Sequence, residues 1–224
     1  MVVVETSADW LILNKPHGLP VFPLHRNPDS DCLMKRLIAE APMQNQDFPK
    51  GFACGIAHRL DIPTSGMVIA ARSESALGFI RSRFARKEWS KEYLFISSKR
   101  ASWDHQHCNL PLAHHPKSKK KMVAQRHVHT RHRGKWYSAE TNFFYLGPLE
   151  LGHLYKAKMR TGVMHQIRVH ASECGVPLLG DCRYGGEPSP DCFEADFALH
   201  HCGMVCAEIK PVMISPPQWW PKKL

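Results

Sequence analysis

Short runs of apolar residues, separated by polar stretches, divide the chain into segments of strand length. Residues 10–14 (WLILN) and 67–71 (MVIAA) are continuous apolar runs, which is typical of buried strands. Residues 91–97 instead alternate between apolar and polar positions, so that Tyr93 and Phe95 lie on one face of a half-buried strand. The pattern therefore predicts a strand at each of these places.

Apolar residues spaced three to four apart predict two helices in the first half of the chain. The first includes residues 33–38, and Asp29 and Ser30 are the residues that can cap its N-terminus. The second has an apolar stripe within residues 77–84 and follows Ser73, which we expect to be its N-cap. Arginine and lysine side chains occupy the other faces of this second helix. Each helix thus has one face for a core and others for solvent.

The second half of the chain predicts a hairpin and a further helix. Residues 141–146 and 151–159 form the two arms of the hairpin, and Gly147-Pro148 is the expected turn because these residue types favour turns. Residues 165–174 have a helical pattern, with Gly175 as the expected C-cap. Strands and helices alternate without an internal repeat, which indicates a mixed α/β or α+β domain.

Composition favours a folded, positively charged domain. Of 224 residues 43% are hydrophobic, so a packed core can form and wholesale disorder is excluded. With no linker in the sequence, we predict a single domain over residues 1–224. Lys and Arg number 30 against 20 Asp and Glu, and this net charge of +10 indicates a polyanionic partner such as nucleic acid. Because residues 1–6 lack the positive charge of a signal peptide and no segment can span a bilayer, we expect a cytoplasmic protein.

The eight cysteines do not follow the spacing of a metal site or of a disulfide framework. No two of them form a CxxC pair. The nearest approach to a metal site is the group of His200, His201, Cys202 and Cys206, which lacks the second ligand pair that zinc sites usually have. In a cytoplasmic protein of this size we expect free thiols and no bound metal.

Positive charge is concentrated in residues 114–135. This segment holds eight Lys or Arg residues, five histidines and no acid, and it lies within a histidine-rich insert at about residues 104–135. Two interpretations are open, a solvated loop and an arm that contacts phosphates. The second is favoured because so many uncompensated cations repel one another without a counter-charge. Such an arm can position a nucleic acid but cannot read its sequence.

The segment most informative about chemistry is residues 58–66, with the sequence HRLDIPTSG. Its Asp61 lies two residues after Arg59, and the Thr-Ser-Gly that follows indicates a turn before the apolar strand. Taken by itself, this segment leaves three roles open for Asp61, namely a cap, a salt-bridge partner and a catalytic carboxylate.

Together with three other segments, HRLDIPTSG resembles the RluA-type pseudouridine synthases. The others are residues 9–19 (DWLILNKPHGL), 91–93 (KEY) and 165–170 (HQIRVH). The resemblance covers about the whole chain, and HRLD followed by TSG is its most specific part. It implies an α+β fold with a mixed, mostly antiparallel central sheet, flanking helices and a central catalytic cleft. It leaves no room for the S4-type RNA-binding domain that some members carry, so we expect none.

The resemblance further implies isomerisation of uridine to pseudouridine within RNA, without a cofactor. The bond from N1 of uracil to C1′ of ribose is broken, and C5 is joined to the same carbon. Position by position, Asp61 matches the essential carboxylate, Tyr93 the aromatic residue that packs on uracil, and Arg168 the arginine that pairs with the carboxylate. Guanidinium stays charged and can bind a carboxylate through two hydrogen bonds, which suits it to this role. Asp61 acts either as a nucleophile at C1′ or as a base at C2′, and both roles remain open.

The same resemblance implies a structured RNA as the partner, either a ribosomal or a transfer RNA stem-loop. A uridine inside folded RNA must flip out of the base stack before the active site can reach it. Arg59 can then fill the vacated position in the stack. Met204 is expected to line the base pocket. We expect a monomer that binds neither DNA nor membranes. The remaining residues predicted to contact RNA are His58, Thr64, Lys119, Lys120 and Lys121.

Two other functions stay open at this point. A protein of the same fold that has lost catalysis would hold or remodel RNA, but the intact set of Asp61, Tyr93 and Arg168 argues against it. A nuclease or other hydrolase acting on RNA would use paired histidines, and replacing Asp61 would then leave most of its activity in place. The activity of an Asp61 variant therefore discriminates between these functions.

Overall fold

The chain forms two compact units, and each is described by itself. The computed structural model describes residues 1–191, 196–207 and 209–222, so Cys192 lies outside the described residues. The first unit contains Met1–Trp89 and His201–Pro216, and the second contains Ser90–His200 and Pro217–Leu224. The single domain predicted over residues 1–224 stays a prediction. Within the described ranges, no helix has both the length and the apolar composition needed to cross a membrane.

Short strands outnumber helices in both units. In chain order the strands of the described ranges are β1 (Val3–Thr6), β2 (Trp10–Lys15), β3 (Ser65–Ala71), β4 (Ser90–Ser97), β5 (His105–Cys108), β6 (Leu112–His114), β7 (Met122–Ala124), β8 (Arg133–Tyr137), β9 (Thr141–Pro148), β10 (His153–Met159), β11 (Leu199–Cys206) and β12 (Ile209–Met213). The helices are α1 (Leu33–Glu40), α2 (Glu74–Ala85) and α3 (Gln166–Glu173). The predicted α+β class with mostly antiparallel strands is confirmed.

A meander of β1, β2 and β3 is the base of the first unit, and its successive strands pair antiparallel. At one end of the β2–β3 pair, Lys15 lies opposite Gly66. Every residue of β3 is buried, which agrees with its continuous apolar run. The strands β11 and β12 also pair antiparallel in this unit. The strands predicted at 10–14 and 67–71 are confirmed.

Helix α2 covers this sheet with its apolar face. Leu77 and Ile80 are buried in a core cluster that also contains Trp89 of the same unit. The hydroxyl oxygen of Ser73 accepts a hydrogen bond from the backbone N–H of Ala76 at 3.2 Å, so the predicted N-cap is confirmed. A cap of this kind stabilises a helix by about 1 kcal/mol.

Helix α1 is found where it was predicted, but its predicted cap is wrong. The helix begins at Leu33, and its N-cap is Cys32, which makes no capping hydrogen bond through its side chain. The Ser30 hydroxyl instead donates to the carbonyl oxygen of Asn27 at 2.7 Å and so closes the preceding turn. The turn thus occupies a side chain that could have capped the helix, and Asp29 lies too far before the first helical residue.

The second unit contains an antiparallel sheet in the order β4, β10, β9, β5. Strand β4 confirms the strand predicted at 91–97, and both Tyr93 and Phe95 are buried. Phe95 stacks on Tyr155 of β10, with 5.2 Å between the ring centroids. Aromatic pairs across adjacent strands therefore stabilise the middle of this sheet.

The predicted hairpin is confirmed, but its turn lies further along the chain. Gly147 and Pro148 belong to β9 and pair with residues of β10. The turn is closed by the backbone N–H of Leu149, which donates to the carbonyl oxygen of Gly152 at 2.9 Å. Gly152 has a φ of +87°, a conformation that favours glycine. The register shifts between Leu154 and Tyr155, where β9 holds one extra residue, Leu146. Residue types alone indicated the wrong turn because Gly147 and Pro148 pair within the sheet.

The positively charged segment 114–135 contributes to a small antiparallel sheet in the order β7, β6, β8. Leu112 and Met122 from this sheet are buried with Val169 of α3 in one core cluster. These apolar contacts order part of a segment whose charge suggested only a loop or an arm. Contact of the segment with phosphates stays a prediction.

Candidate active site

Asp61 lies on a turn that directly precedes β3 in the first unit. The backbone N–H of Thr64 donates to the Asp61 carbonyl oxygen at 3.0 Å and closes the turn. Thr64 and Ser65 are only 2% and 3% exposed, whereas Asp61 is partly exposed and Arg59 is exposed. Asp61 is therefore partly accessible on a backbone that continues into the core of its unit.

Gly66 allows two backbones to approach closely just after this turn. Its φ is +108°, and a Cβ added there would lie 2.2 Å from the carbonyl oxygen of His201 on β11. His201 is fully buried, and its Nδ1 donates to the carbonyl oxygen of Met67 at 2.7 Å. A side chain at residue 66 would break this arrangement, so the glycine of the TSG sequence has a steric cause.

A buried lysine supports the loop that carries Asp61. Lys15 is 0% exposed, and its ammonium donates to three backbone carbonyl oxygens. The distances are 2.9 Å to Pro16, 2.8 Å to Leu19 and 3.0 Å to Ile62. Because Ile62 follows Asp61 directly, Lys15 ties the turn after β2 to the turn with the carboxylate.

Burial also changes the ionisation of this lysine. Loss of hydration lowers the pKa of Lys15 to about 7, while attraction to the Asp61 carboxylate acts in the opposite direction. The side chain therefore exchanges between its charged and neutral forms near neutral pH. The attraction also shows that the ammonium of Lys15 lies within electrostatic reach of Asp61.

Sequence analysis assigned no role to Lys15, although a signal was present. In a strand, residues two apart face the same side, so Lys15 is in phase with Leu11 and Leu13 of β2. Both leucines are buried. A lysine that shares a strand face with buried leucines is itself expected to be buried. Its ammonium then needs hydrogen-bond partners inside the protein.

His58 and Met204 have well-defined surroundings within the first unit. The Nε2 atom of His58 accepts a hydrogen bond from the backbone N–H of Ile69 at 3.2 Å. The ring of His58 packs against those of Phe84 and His201, with centroid distances of 5.5 and 5.8 Å. Met204 is 2% exposed and belongs to the core cluster of the unit. RNA contact by His58 and a base-pocket role for Met204 stay predictions.

In the second unit, Arg168 forms a two-pronged ion pair with Asp181. Its Nε lies 2.6 Å from one carboxylate oxygen, and its Nη2 lies 2.8 Å from the other. The two residues are 5% and 2% exposed. Sequence analysis did not predict Asp181 as a partner, because thirteen positions separate the two residues and no local period links them. Asp61 belongs to the other unit, and its pairing with Arg168 stays a prediction.

Aromatic rings surround the guanidinium of Arg168. Its Cζ lies 4.5 Å from the ring centroid of Phe197 and 5.0 Å from that of Tyr184, in the geometry of cation–π contacts. The Tyr184 hydroxyl accepts the backbone N–H of Met122 at 2.9 Å and lies 2.7 Å from Nδ1 of His165. Burial raises the pKa of Tyr184 to about 12, so this phenol stays neutral. The rotamer of Arg168 is thus fixed by contacts on several sides.

Tyr93 lies on β4 opposite Ala157 of β10 and is 6% exposed. Lys91, two residues earlier, is expected on the same face of the strand and is 8% exposed. Burial lowers the pKa of Lys91 to about 8. A Cβ added at Gly162 would lie 3.0 Å from Nζ of Lys91, so this lysine is closely covered. The KEY sequence therefore carries a buried cation beside the candidate aromatic residue.

The three lysines predicted to bind RNA lie on the turn that leads into β7. Lys119 and Lys120 are exposed. The carbonyl oxygen of Lys120 accepts a hydrogen bond from Nη1 of Arg183 at 2.9 Å, and Nζ of Lys121 lies 5.7 Å from the ring centroid of Tyr184. Since Tyr184 also contacts the candidate arginine, the lysine turn and that arginine share one neighbourhood of the second unit.

The structure also locates the residues considered as metal ligands. His200, His201, Cys202 and Cys206 are all buried. Across residues 1–191, 196–207 and 209–222, no group of three or more His, Cys, Asp or Glu side chains is arranged to hold a metal ion.

Comparison with known proteins identifies relatives of this chain. Residues 9–173 match the family model described as RNA pseudouridylate synthase. A protein of Haemophilus ducreyi named ribosomal large subunit pseudouridine synthase D is 31% identical over 188 residues, which are 84% of this chain and 54% of that protein. The proteins of the same name from Zymomonas mobilis and Escherichia coli K12 are also 31% identical, over 82% and 84% of this chain and 55% and 53% of their own length. The chain thus spans about half the length of these relatives.

Solved structures confirm the fold. Human RNA Pseudouridylate Synthase Domain Containing 1 has a TM-score of 0.77 at 22% identity, covering 100% of this chain and 89% of that one. Human RNA Pseudouridylate Synthase Domain Containing 4 has a TM-score of 0.72 at 19% identity, covering 97% and 89%. The fold predicted from HRLD, KEY and HQIR is therefore the observed one, and this chain belongs to the RNA pseudouridylate synthase family.

Proposed function

We propose that this chain is the catalytic part of an RNA-modifying isomerase that converts uridine to pseudouridine. The observation that carries the proposal is the position of Asp61, a partly exposed carboxylate on a turn anchored by buried Lys15 and followed by Gly66. This is the family's HRLD segment, and it lies inside the matched range. A fixed backbone that carries a partly exposed aspartate is what a reaction on a bulky flipped nucleotide requires.

The proposed reaction needs no cofactor and balances within the nucleotide. Asp61 acts on the ribose while the N1–C1′ bond of uridine breaks, and the uracil turns so that C5 bonds to C1′. The proton on C5 is then lost to solvent, and N1 gains a proton. Tyr93 packs against the turning base and assists removal of the C5 proton, since an aromatic face with a polar tip suits both tasks. Arg168 holds the carboxylate of Asp61 in the proposed closed site.

We propose ribosomal RNA as the substrate class, with a transfer RNA stem-loop as the second candidate. The bacterial relatives are named as ribosomal large subunit enzymes, which favours the first. The exposed turn at Lys119 and Lys120 supplies cations that bind phosphates. Exposed Arg59 fills the space in the stack that the flipped base leaves. Backbone contacts of this kind recognise the shape of a stem-loop more than its sequence.

A tritium-release assay tests the proposal. RNA labelled with tritium at uridine C5 is prepared from cells lacking this gene, and the ribosomal and transfer fractions are incubated separately with the protein. Wild type is expected to release tritium from one fraction, because the C5 proton leaves only when pseudouridine forms. Asp61→Asn is expected to release none while binding the same RNA within about tenfold, since it changes one atom of the side chain.

Two outcomes would contradict the proposal. Release by Asp61→Asn at the wild-type rate would assign the isomerisation to other residues, and RNA cleavage without tritium release would favour a histidine-dependent hydrolase. RNA binding by wild type without release from either fraction would favour the catalytically inactive RNA-binding protein. Deuterium at C2′ separates the two roles of Asp61: a primary isotope effect is expected if the carboxylate removes the C2′ proton, and only a small secondary effect if it attacks C1′.

A further inference from the structure

Two cysteines from distant parts of the sequence meet in the second unit. Cys108 is the last residue of β5, and Cys174 is the C-cap of α3. Both are free thiols, and their side chains are hydrogen-bonded to each other. The two thiols are therefore neighbours, as the formation of a disulfide between them requires.

The surroundings of Cys108 favour its thiolate. The thiol of Cys174, the side chain of His170 and the backbone N–H of Leu110 all interact with its sulfur, and they lower the pKa of Cys108 despite its burial. Hydrogen bonding to Cys108, burial and the charge of Glu173 raise the pKa of Cys174. Within the pair, these interactions therefore favour the thiolate at Cys108 and the thiol at Cys174.

His170 is fixed in this arrangement. It is 0% exposed, its Nε2 donates to the carbonyl oxygen of Leu110 at 2.9 Å, and its Nδ1 lies 2.9 Å from the hydroxyl oxygen of Thr141. The hydroxyl of Thr141 accepts a hydrogen bond from the side-chain amide of Gln166 at 3.0 Å. This network leaves the imidazole little freedom to turn away from Cys108.

The thiol pair lines a cavity that communicates with the surface. The cavity has a volume of about 500 Å³, and both cysteines belong to its wall. Trp103 supplies an apolar surface beside them, while His107 and Asn109 on the same wall are exposed. A space of this size and character admits a small, partly apolar molecule beside Cys108, which is buried, and Cys174, which is half-buried.

We propose that Cys108 and Cys174 form a redox site that a hydroperoxide entering this cavity oxidises to a disulfide. The Cys108 thiolate attacks the terminal oxygen of the hydroperoxide, the O–O bond breaks, and the departing alkoxide takes the proton of Cys174. Cys108 is then a sulfenic acid. The Cys174 thiolate attacks its sulfur, the S–S bond forms, and hydroxide leaves and takes a proton from solvent. Two thiols and one hydroperoxide thus give one disulfide, one alcohol and one water.

The chain contains two matched comparisons for this site. Cys32 and Cys54 are close enough to interact electrostatically in the first unit, but neither lines the cavity at Cys108, and burial raises the pKa of Cys54. Cys182 is exposed. The Cys32–Cys54 pair therefore tests whether two neighbouring thiols are oxidised without a cavity beside them. Cys182 tests whether an exposed thiol is oxidised without the hydrogen bonds that Cys108 has.

Thiol mapping of the intact, reduced protein tests the proposal. The protein is treated for short times with hydrogen peroxide or cumene hydroperoxide, remaining thiols are blocked with N-ethylmaleimide, and peptides are analysed by mass spectrometry. The cross-linked Cys108–Cys174 peptide is expected to appear at least about tenfold faster than any oxidation of Cys182 or of the Cys32–Cys54 pair, because reactivity follows thiolate content and access.

Variants separate the two roles. Cys174→Ser is expected to accumulate the sulfenic acid of Cys108, trapped as a dimedone adduct, and Cys108→Ser is expected to lose the fast oxidation. Cys182→Ser should oxidise like wild type. Circular dichroism checks that each variant is folded, and the wild-type mapping needs no variant. Oxidation of Cys182 before the pair, or a folded Cys174→Ser without an adduct at Cys108, would overturn the proposal.

Discussion

The titration of buried Lys15 makes the free energy of unfolding depend on pH. Replacing this one residue shows how much of that dependence it causes. Lys15→Met keeps most of the volume of the side chain and removes its charge. It also removes the donor to three backbone carbonyl oxygens, including that of Ile62. The difference in stability between wild type and Lys15→Met therefore contains the whole pH dependence that the titration of this amine contributes.

The size of the pH effect follows from the two pKa values. Lys15 has a pKa of about 7 in the folded protein and of 10.5 when exposed to water. Between these two pKa values the amine is protonated in the unfolded chain and neutral in the folded chain. The free energy of unfolding therefore increases as the pH rises from about 7 towards 10.5. Integrated from about pH 7 to about pH 9.5, this single group adds roughly 3 kcal/mol to the free energy of unfolding. Below pH 7 both states are protonated and the contribution is constant.

Urea unfolding followed by tryptophan fluorescence, repeated from about pH 6 to about pH 9.5, measures the effect. The free energy of unfolding of wild type minus that of Lys15→Met is expected to increase by roughly 3 kcal/mol across the upper part of this range. Lys50→Met is the matched control because Lys50 is an exposed lysine of the same unit, and its curve should run parallel to that of wild type.

Parallel curves for wild type and Lys15→Met would refute the reasoning, because they would mean that Lys15 keeps its proton in the folded protein. A further variant tests the electrostatic link to the candidate carboxylate. Asp61→Asn removes the attraction that raises the pKa of Lys15, so the pH-dependent window should extend to lower pH. A window that does not change would place the two charges beyond effective reach of each other.

Three further predictions concern the backbone, the arginine and the lysine turn. Gly66→Ala should lower the free energy of unfolding by about 3 kcal/mol or more in urea titrations, because its φ is strained for alanine and its Cβ would meet the carbonyl oxygen of His201. Gly78→Ala, at an exposed position of α2 with open space around the new Cβ, should instead stabilise by about 1 kcal/mol. Arg168→Lys keeps the charge but loses the two-pronged geometry, so single-turnover rates should fall more than RNA affinity, and unchanged rates would contradict the proposed role. Replacing residues 119–121 by glutamine should reduce the slope of log affinity against log salt concentration by up to about three units. An unchanged slope would mean that these lysines do not contact phosphates.

Local pattern was sufficient where an element depends on its own residues. The continuous apolar runs gave β2 and β3, and the spacing in α2 together with the Ser73 cap gave its start correctly. HRLDIPTSG together with residues 9–19, 91–93 and 165–170 identified the family, because several specific motifs in one chain do so without any tertiary information. Where a competing local partner existed, the same kind of argument failed, as for the Ser30 hydroxyl that closes a turn instead of capping α1.

The sequence by itself therefore determined the α+β class, most elements, the family and the candidate carboxylate at Asp61. Only the tertiary structure decided that Lys15 is buried beside that carboxylate, that Arg168 binds Asp181, and that Cys108 meets a second thiol. The reason is physical: burial, hydrogen bonding and charge interaction depend on distance in space, and Ile62, Asp181 and Cys174 lie outside the local stretch of chain that a periodic pattern covers. A periodic pattern reports which face of an element is buried, but it does not report what the buried face meets.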